Sequence, residues 1–276
     1  MKFVNLIIGQ KRNLIKNLDS ITNCQNRNLD NINFFIFWKD DCCTEEEKQI
    51  LRKKYSNIYF HTVKRDKFET MIKKIIKKNK GYPIKLQNAI IANYLQFTLV
   101  KYAFNYACKK LKSQNFKKFF WQRIRSDTYV NNKVIDNPKK KTLYLPGTVH
   151  GYGIIDFHAL GTFEEFKVYS NTIDTLDSLY KANIFGPPEI ALRMQLTKFQ
   201  INSVLTDKMP SALLKNLDKL ELKHFYTLRG QKYHTNEFSK NIIEGSYVFK
   251  DILLLRKFYY KIYNYIIKIK LKLNNE

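Results

Sequence analysis

Short apolar runs alternate with polar, helix-like stretches along the first third of the chain. Residues 3–8 form a compact apolar run that ends at Gly9, and a helix-like stretch covers residues 12–21. A second apolar run at residues 32–38 stops at "KDD", and a third strand is predicted at residues 57–63. Strands that alternate with helices in this way are typical of a βαβαβ unit in an α/β domain.

A helix start is encoded between the second and third strands. Thr44 occupies an N-cap position and Glu47 stands three residues later, so the pair predicts a capping box that opens a helix through Lys54. A Lys-rich amphipathic stretch at residues 66–80 then ends at "NKGYP", where glycine and proline stop a helix.

A long helix is predicted at residues 84–111. Its apolar positions recur at helical spacing and indicate burial against the sheet; they are Leu86, Ile90, Tyr94, Phe97, Tyr102 and Phe104. The segment "KKFFWQRIRSDTYV" then predicts a central strand. A further strand is predicted at residues 142–145, and the glycine-rich stretch "PGTVHGYGIIDFHALG" predicts a loop. Helices are predicted at residues 162–182, 188–198 and 210–221.

The last segment differs in character from the rest. We predict one α/β domain over residues 1–245 and a basic amphipathic helix over residues 246–276. Lysines recur too often in this helix for it to span a bilayer, but they suit a helix that lies on an anionic membrane surface. Packing back on the domain is the alternative, and the sequence leaves both open.

The charge balance is strongly basic: 49 Lys and Arg against 24 Asp and Glu give a formal net charge of +25. Nucleic acid, an anionic membrane and phosphorylated small molecules all suit this charge. The aromatic residues lie in apolar strands and helices and are not interleaved with arginine, which indicates core. We therefore expect no nucleic-acid partner, and a non-enzymatic basic protein that binds nucleic acid or an anionic surface is the alternative hypothesis.

Several motif classes are missing from the sequence. It has no Walker loop, no G-x-S-x-G and no G-x-G-x-x-G after a strand, which weakens the kinase, hydrolase and dehydrogenase hypotheses. Cys24, Cys42, Cys43 and Cys108 lack metal-ligand spacing and are predicted to be reduced thiols. The apolar run at the N-terminus is too short for a signal sequence, so we expect a cytoplasmic protein.

Asp127 stands where the predicted central strand ends. A carboxylate at that position can coordinate Mg²⁺ or Mn²⁺ bridging the two phosphates of a nucleotide donor. Arg123 and Arg125 alternate along the same strand and so share one face, where a guanidinium can bind phosphate. A simple Arg–Asp pair at a strand end is the alternative, because one carboxylate does not define a metal site.

Three motifs follow one another along the chain and carry a resemblance to a known family: "RIRSD", then "GIIDFHALGTFEEFKVYS", then "FGPPEIALRMQL". Over residues 1–235 the chain resembles bacterial surface-polysaccharide glycosyltransferases of the WavE-like lipopolysaccharide-synthesis type, with relatives in capsule clusters and large viruses. The resemblance implies a GT-A fold, which is a Rossmann-like mixed sheet flanked by helices. It also implies a nucleotide-sugar donor and a glycan or lipid-linked acceptor. With the basic helix at residues 246–276 on a membrane surface, the enzyme would be peripheral on the inner face of the membrane.

The resemblance implies roles for individual residues. Arg125 and Asp127 would hold the donor diphosphate and a metal, and Asp156 would contact the donor sugar or the acceptor. Glu189 is a candidate base, since two prolines place it at a positive helix end that favours an ionised carboxylate; an ordinary helix-start charge is the alternative. The chain has Arg-Ser-Asp where many GT-A enzymes have two carboxylates, so the need for a metal is open.

Five further positions are candidates for the donor site. Gly9 and Gln10 close the first strand and Arg12 follows, so they either contact the nucleotide or turn the chain. Asp40 ends the second strand and could accept hydrogen bonds from a ribose or base. In GT-A enzymes a late histidine completes the metal shell or contacts phosphate, which makes His234 a candidate ligand, although isolated histidines are commonly surface residues or hydrogen-bonded interior ones.

Overall fold

The structure is a computed structural model that describes residues 2–11, 14, 15, 18, 21, 31–77, 84–112, 114–126, 128–130, 138–146, 158–182, 188–206, 211–216 and 221–222. The strands are β1 (Phe3–Gly9), β2 (Ile32–Trp38), β3 (Asn57–Val63), β4 (Phe120–Arg125), β5 (Thr128–Val130), β6 (Thr142–Pro146), β7 (His158–Thr162), β8 (Asn202–Thr206), β9 (Ser211–Asn216) and β10 (Glu221–Leu222). The helices are α1 (Glu45–Lys54), α2 (Asp66–Lys77), α3 (Ile84–Lys110), α4 (Phe163–Ser170), α5 (Thr172–Lys181) and α6 (Pro188–Lys198).

Seven strands form one mixed sheet in the order β3-β2-β1-β4-β7-β6-β8. Neighbours from β3 to β4 are parallel, β7 runs antiparallel to both β4 and β6, and β6 and β8 are again parallel. A second, small sheet has the order β10-β9-β5. This architecture confirms the predicted α/β class, a Rossmann-like mixed sheet flanked by helices.

β1 and β2 are largely apolar on both faces because helices or chain segments cover each face. One face packs against α3 and α4 through a cluster that includes Val4, Leu6, Ile8, Phe34, Trp121 and Phe166. The other face forms a second cluster with Ile7, Phe35, Phe37, Ile124, Leu14, Leu18 and Ile21. Continuous apolar runs, rather than alternating ones, are what a sheet covered on both faces requires.

A buried polar row crosses the second face of the sheet. Asn5 on β1 donates through Nδ2 to Asn33 Oδ1 on β2 at 2.9 Å. Asn5 also pairs in register with Gln122 on β4, whose Nε2 lies 2.7 Å from His158 Nε2 on β7. These four side chains are at most 3% exposed, so each hydrogen bond gives a partner to a polar group that water does not reach.

The N-terminal part of α3 extends past the sheet. Arg125 ends β4 and donates to Gln96 Oε1 at 3.4 Å, which puts Gln96 level with the carboxyl ends of the strands. At about 1.5 Å per residue, residues 84–95 reach roughly 18 Å beyond that edge. α2 begins at the same edge, where the Phe68 ring lies 6.1 Å from that of Trp38.

Only residues 78–83 separate α2 from α3, and a short connection makes consecutive helices antiparallel neighbours. Ile72 and Ile76 of α2 share an apolar cluster with Ile90 and Tyr94 of α3. We call α2 together with residues 84–95 the helical hairpin. Its two helices extend beyond the carboxyl edge of the sheet.

Most predicted elements are confirmed, including the Thr44–Glu47 capping box and α6. The predicted glycine-rich loop is wrong at its end, because His158–Thr162 forms β7 between β4 and β6. The helix predicted at residues 210–221 is also wrong, since β9 pairs there with β5 and β10. Pairing between distant segments produces both strands, and at residues 211–216 it overrides the helical spacing of the apolar residues.

Three smaller differences concern helices and one strand. The helix predicted at residues 162–182 breaks at Asn171 into α4 and α5, and β8 was not predicted. Tyr102 was expected in the core but is 37% exposed, because it stacks on His61 of the edge strand β3.

Among the helices that the structure describes, none has the length and apolarity needed to cross a bilayer. The predicted helix at residues 246–276 lies outside the described residues, so the domain division stays a prediction.

Candidate functional site

The chain changes direction across the sheet between β1 and β4. It runs from β1 to β2 and then β3 on one side, and later places β4 on the other side of β1. Because β1 and β4 are parallel, their carboxyl ends, Gly9 and Arg125, meet at one edge. In open α/β sheets, ligands bind outside the carboxyl ends of strands at such a switch point. The residues that line this edge form what we call the β1–β4 cleft.

Gly9 and Ser126 join the two strand ends. Gly9 has φ +131°, a region that favours glycine, and a Cβ placed on it would lie 3.2 Å from Arg125 Cγ and 3.3 Å from Ser126 Oγ. The Ser126 amide donates to Ile8 O at 3.3 Å, and its hydroxyl donates to Gln10 O. Glycine at this position therefore lets β4 approach β1 closely, and the junction fixes the backbone at the floor of the cleft.

Arg125 is the half-buried cation of this junction. Its Nη1 donates to Gln96 Oε1 at 3.4 Å, so α3 orients the guanidinium at the level of the strand ends. Gln10, the residue after Gly9, is exposed, and its carbonyl accepts from the hydroxyl of Ser126, the residue after Arg125. A guanidinium presents paired N–H donors in a planar fork that matches the oxygens of a phosphate. Of the described residues, Arg125 is thus the side chain best placed to bind an anion in the cleft.

Arg123 lies on the same face as Arg125, as the strand alternation predicts, but it is 1% exposed. Its Nη1 donates to Tyr169 Oη at 2.5 Å, and its guanidinium carbon lies 6.0 Å from the ring centres of both Phe97 and Tyr169. The structure thus places Arg123 inside the protein below the cleft. There it contributes positive potential, whereas a direct ligand contact would require its burial to change.

The electrostatic effect of Arg123 is visible at His158. This histidine is buried at the start of β7, opposite Ile124 of β4. Burial, and then the charge of Arg123, lowers the pKa of His158 to about 3. The ring is therefore neutral at pH 7, and it contributes a hydrogen bond to Gln122 rather than a charge.

Asp40 and its neighbours tie the ends of β1, β2 and β3 together. Asp40 lies in the short 3₁₀ turn Lys39–Asp41 and forms an ion pair with Arg65, which follows β3, at 2.6 Å. Asp41 Oδ2 accepts from the Lys11 amide at 3.0 Å. The Lys11 ammonium lies 3.1 Å from Glu47, a hydrogen bond that raises the pKa of Lys11. Asp40 is therefore engaged with Arg65 in this structure.

Glu189 lies in the first turn of α6 directly after Pro188, as predicted. It is 8% exposed, and Tyr180 of α5 is its neighbour: burial, and then the charge of Glu189, raises the pKa of Tyr180. Because α6 is followed by β8, which starts at the amino edge of the sheet, the start of α6 points toward the carboxyl edge. Glu189 is thus at the same end of the molecule as the cleft.

The remaining predicted residues, Arg12, Asp127, Asp156 and His234, lie outside the described residues. In the described ranges, no group of three His, Cys, Asp or Glu side chains is arranged to hold a metal ion. The described cleft presents Arg125 rather than carboxylates, so it does not by itself fit a divalent cation. A metal site built from Asp127 and His234 stays a prediction.

Sequence reasoning missed three residues that shape the site. Ser126 was part of the "RIRSD" motif without a role, although its position after a strand is one where a hydroxyl can cap a neighbouring strand end. Tyr169 and Gln96 had no signal at all, because each lies on a helix far in sequence from the arginine that it contacts.

A separate groove of about 900 Å³ lies between α4, α5 and α6. It is lined by residues such as Glu164, Lys167, Asp174, Gln195 and Phe199, and none of the strand-end residues described above contributes to it. Switch-point geometry, rather than groove size, identifies the candidate site.

No family model and no curated protein sequence matches this chain. Among solved structures, it is similar to a glycosyltransferase involved in the glycosylation of the major capsid of PBCV-1, with 11% identity and a TM-score of 0.41 over 75% of this chain and 82% of that one. It is also similar to mouse xyloside xylosyltransferase 1, with 10% identity and a TM-score of 0.41 over 75% of this chain and 86% of that one. Likeness at this level leaves the activity to be argued from the chain's own residues.

Proposed function

We propose that this chain is a nucleotide-sugar-dependent glycosyltransferase that binds the donor diphosphate in the β1–β4 cleft. One observation carries the proposal: Gly9 and Ser126 fix a switch-point floor at the carboxyl ends of β1 and β4, with the Arg125 guanidinium held beside it. Backbone that approaches closely without a side chain, next to a cation, suits a ligand with two phosphates. The order of the three motifs supports the same assignment.

In this proposal Arg125 binds the diphosphate directly and Arg123 adds positive potential from below. Gly9, Gln10, Arg12 and Asp40 would contact the nucleoside. Asp127 and His234 would hold Mn²⁺ or Mg²⁺, which when bound would neutralise charge on the leaving diphosphate. Arg125 can offset part of that charge without a cation, so the dependence on metal is expected to be partial.

The transfer step breaks the bond between the anomeric carbon and the diphosphate oxygen and forms a bond from that carbon to an acceptor oxygen. With inversion, the acceptor proton passes to a carboxylate, for which Asp156 and Glu189 are the candidates. With retention, the two carboxylates have binding roles. Burial of Glu189 beside Tyr180 supports a positioned carboxylate at this end of the molecule.

We also propose an acceptor and a cellular location. We infer that the acceptor is a glycan or lipid-linked glycan in the synthesis of a surface polysaccharide of the lipopolysaccharide or capsule kind, made in the cytoplasm on the inner face of the membrane. The sequence resemblance and the charge of +25, which favours an anionic surface, support this.

Thermal unfolding with a panel of nucleoside diphosphates tests the proposal. A ligand present at about 100 times its Kd stabilises by about 2.7 kcal/mol, which corresponds to a rise in Tm of roughly 5–10 °C for a chain of this size. We expect UDP or another nucleoside diphosphate to give such a rise, and Mn²⁺ to increase it. No rise with any nucleotide, together with salt-sensitive binding of RNA or DNA, would favour the non-enzymatic alternative.

A further inference from the structure

The helical hairpin carries exposed apolar side chains among lysines, on α2 and at the start of α3. Met71 is 42% exposed on α2, and Ile84 is 75% exposed at the start of α3. Lys67, Lys74 and Lys77 are exposed on α2 as well. Met71 Sδ accepts a hydrogen bond from Tyr94 Oη of α3 at 4.0 Å, so one side of Met71 contacts α3 while the rest of its side chain remains in water among lysines.

The helical geometry places these side chains together. Lys67 and Met71 are four residues apart and Met71 and Lys74 are three apart, so the three are neighbours on one face of α2. Ile72 and Ile76, which are buried against α3, lie on the far side of α2 from Lys67 and Lys74, with Met71 between them around the helix. Met71 therefore lies at the edge of the contact between α2 and α3, and lysines border its exposed part.

These lysines are also uncompensated. Lys73 pairs with Glu69 at 2.6 Å, and Arg65 pairs with Asp40 at 2.6 Å. No ion pair with a carboxylate is found for Lys67, Lys74 or Lys77 among the residues that the structure describes. The exposed side of the hairpin thus presents net positive charge around its apolar side chains, Met71 and Ile84.

We propose that the hairpin face, formed by Lys67, Met71, Lys74, Lys77 and Ile84, docks on an anionic lipid bilayer. The lysines would contact the headgroups, and Met71 and Ile84 would enter the interfacial layer. Nucleic acid fits less well because this face offers neither arginine nor an aromatic ring for stacking. The hairpin extends about 18 Å past the strand ends, so docking would turn the β1–β4 cleft toward the membrane surface.

The inference does not depend on the proposed sugar transfer, and it rests on residues other than 246–276. The test is sedimentation of the full chain with vesicles of phosphatidylcholine and phosphatidylglycerol, compared with vesicles of phosphatidylcholine alone. At roughly fivefold per lysine, Lys67→Gln with Lys74→Gln is expected to weaken binding to the anionic vesicles about 25-fold. All substituted side chains are exposed, and an unchanged Tm would confirm folding.

The matched control removes the same charge at the opposite end of α3. Lys109 and Lys112 are exposed there, about 40 Å of helix away from Ile84. Lys109→Gln with Lys112→Gln is expected to change vesicle binding by less than half as much on a logarithmic scale. Equal losses in the two double variants would mean that only net charge matters and would overturn the proposal.

A third variant tests insertion. Ile84→Trp is expected to shift tryptophan emission to shorter wavelength with anionic vesicles, whereas Trp38 and Trp121 are buried and report little. An unshifted emission, or full vesicle affinity in the Lys67 and Lys74 double variant, would show that this face does not meet the bilayer. RNA binding that the double variant abolishes while vesicle binding persists would assign the face to nucleic acid instead.

Discussion

Gly9 and Ser126 are in contact across the ends of two parallel strands: a Cβ on Gly9 would lie 3.3 Å from Ser126 Oγ. The Ser126 hydroxyl donates to the carbonyl of Gln10, the residue that follows Gly9. This close approach has two consequences. It makes glycine necessary at the end of β1, and it fixes the backbone from which the Arg125 side chain extends.

Replacing Gly9 by alanine should therefore be costly. Gly9→Ala adds a side chain at φ +131° and within 3.2 Å of Arg125 Cγ, so we expect a loss of about 1–3 kcal/mol in the free energy of unfolding, measured by urea titration. Gly161→Ala is the control, because its Cβ meets Glu165 Cβ at a similar 3.2 Å but its φ is ordinary. Equal costs in the two variants would mean that crowding, not backbone conformation, is what matters at Gly9.

The Arg123–Tyr169 hydrogen bond should contribute to stability. Tyr169→Phe removes the acceptor at 2.5 Å from a guanidinium that is 1% exposed, so we expect a loss of about 1–3 kcal/mol. Tyr144→Phe removes a hydroxyl whose bond with the Lys139 amide is exposed, and it should cost less than 1 kcal/mol. A double-mutant cycle with Arg123→Met measures the coupling, and coupling near zero would contradict the role given to Tyr169.

His158 predicts a pH dependence of stability. Its pKa is lowered to about 3 in the folded protein from 6.5, so the unfolded chain binds the extra proton between these values. Above pH 6.5 the contribution of neutral His158 to the free energy of unfolding is complete. As the pH falls below 6.5 this contribution is lost, and the free energy of unfolding decreases by about 2 kcal/mol at pH 5.

The measurement is urea unfolding at pH 7 and pH 5. In His158→Gln, which keeps an amide near Gln122, the loss between the two pH values should be about 2 kcal/mol smaller than in the wild type. His61→Gln is the control, because His61 is partly exposed beside Tyr102, and it should leave most of the loss in place. A His158→Gln variant with the wild-type pH dependence would show that this histidine charges freely in the folded state.

Local sequence signals predicted much of the fold because their physics is local. The capping box at Thr44 and the apolar run of β1 depend on neighbours within a few residues, and both are confirmed. The strand His158–Thr162 was missed because histidine, alanine and glycine have weak strand preference, and pairing with β4 and β6 makes it a strand.

The site was predictable in position but not in contacts. Alternation along β4 placed Arg123 and Arg125 on one face correctly. The burial of Arg123 could not be predicted, since it depends on Tyr169 and Phe97, which lie 46 and 26 residues away in sequence, on α4 and α3. Glycine at the end of β1 was compatible with a simple turn until the position of Ser126 gave it a steric reason.

Arg125 should control the affinity for a nucleoside diphosphate. Arg125→Gln removes a charged two-pronged donor, so we expect the Kd for UDP or the best nucleotide of the panel to rise about 10- to 100-fold, measured by calorimetry. Arg52→Gln removes an exposed arginine on α1 and should leave the Kd unchanged. Equal Kd values in the wild type and in Arg125→Gln would remove Arg125 from the donor site.

The most direct test of the central claim is a crystal structure of the protein soaked with the nucleoside diphosphate that stabilises it most. We predict density for both phosphates at the carboxyl ends of β1 and β4, with an oxygen within hydrogen-bond distance of the Arg125 guanidinium and the chain near Gly9 in contact with the nucleotide. Density for the nucleotide elsewhere, such as the groove between α4, α5 and α6, with the β1–β4 cleft empty, would contradict the account.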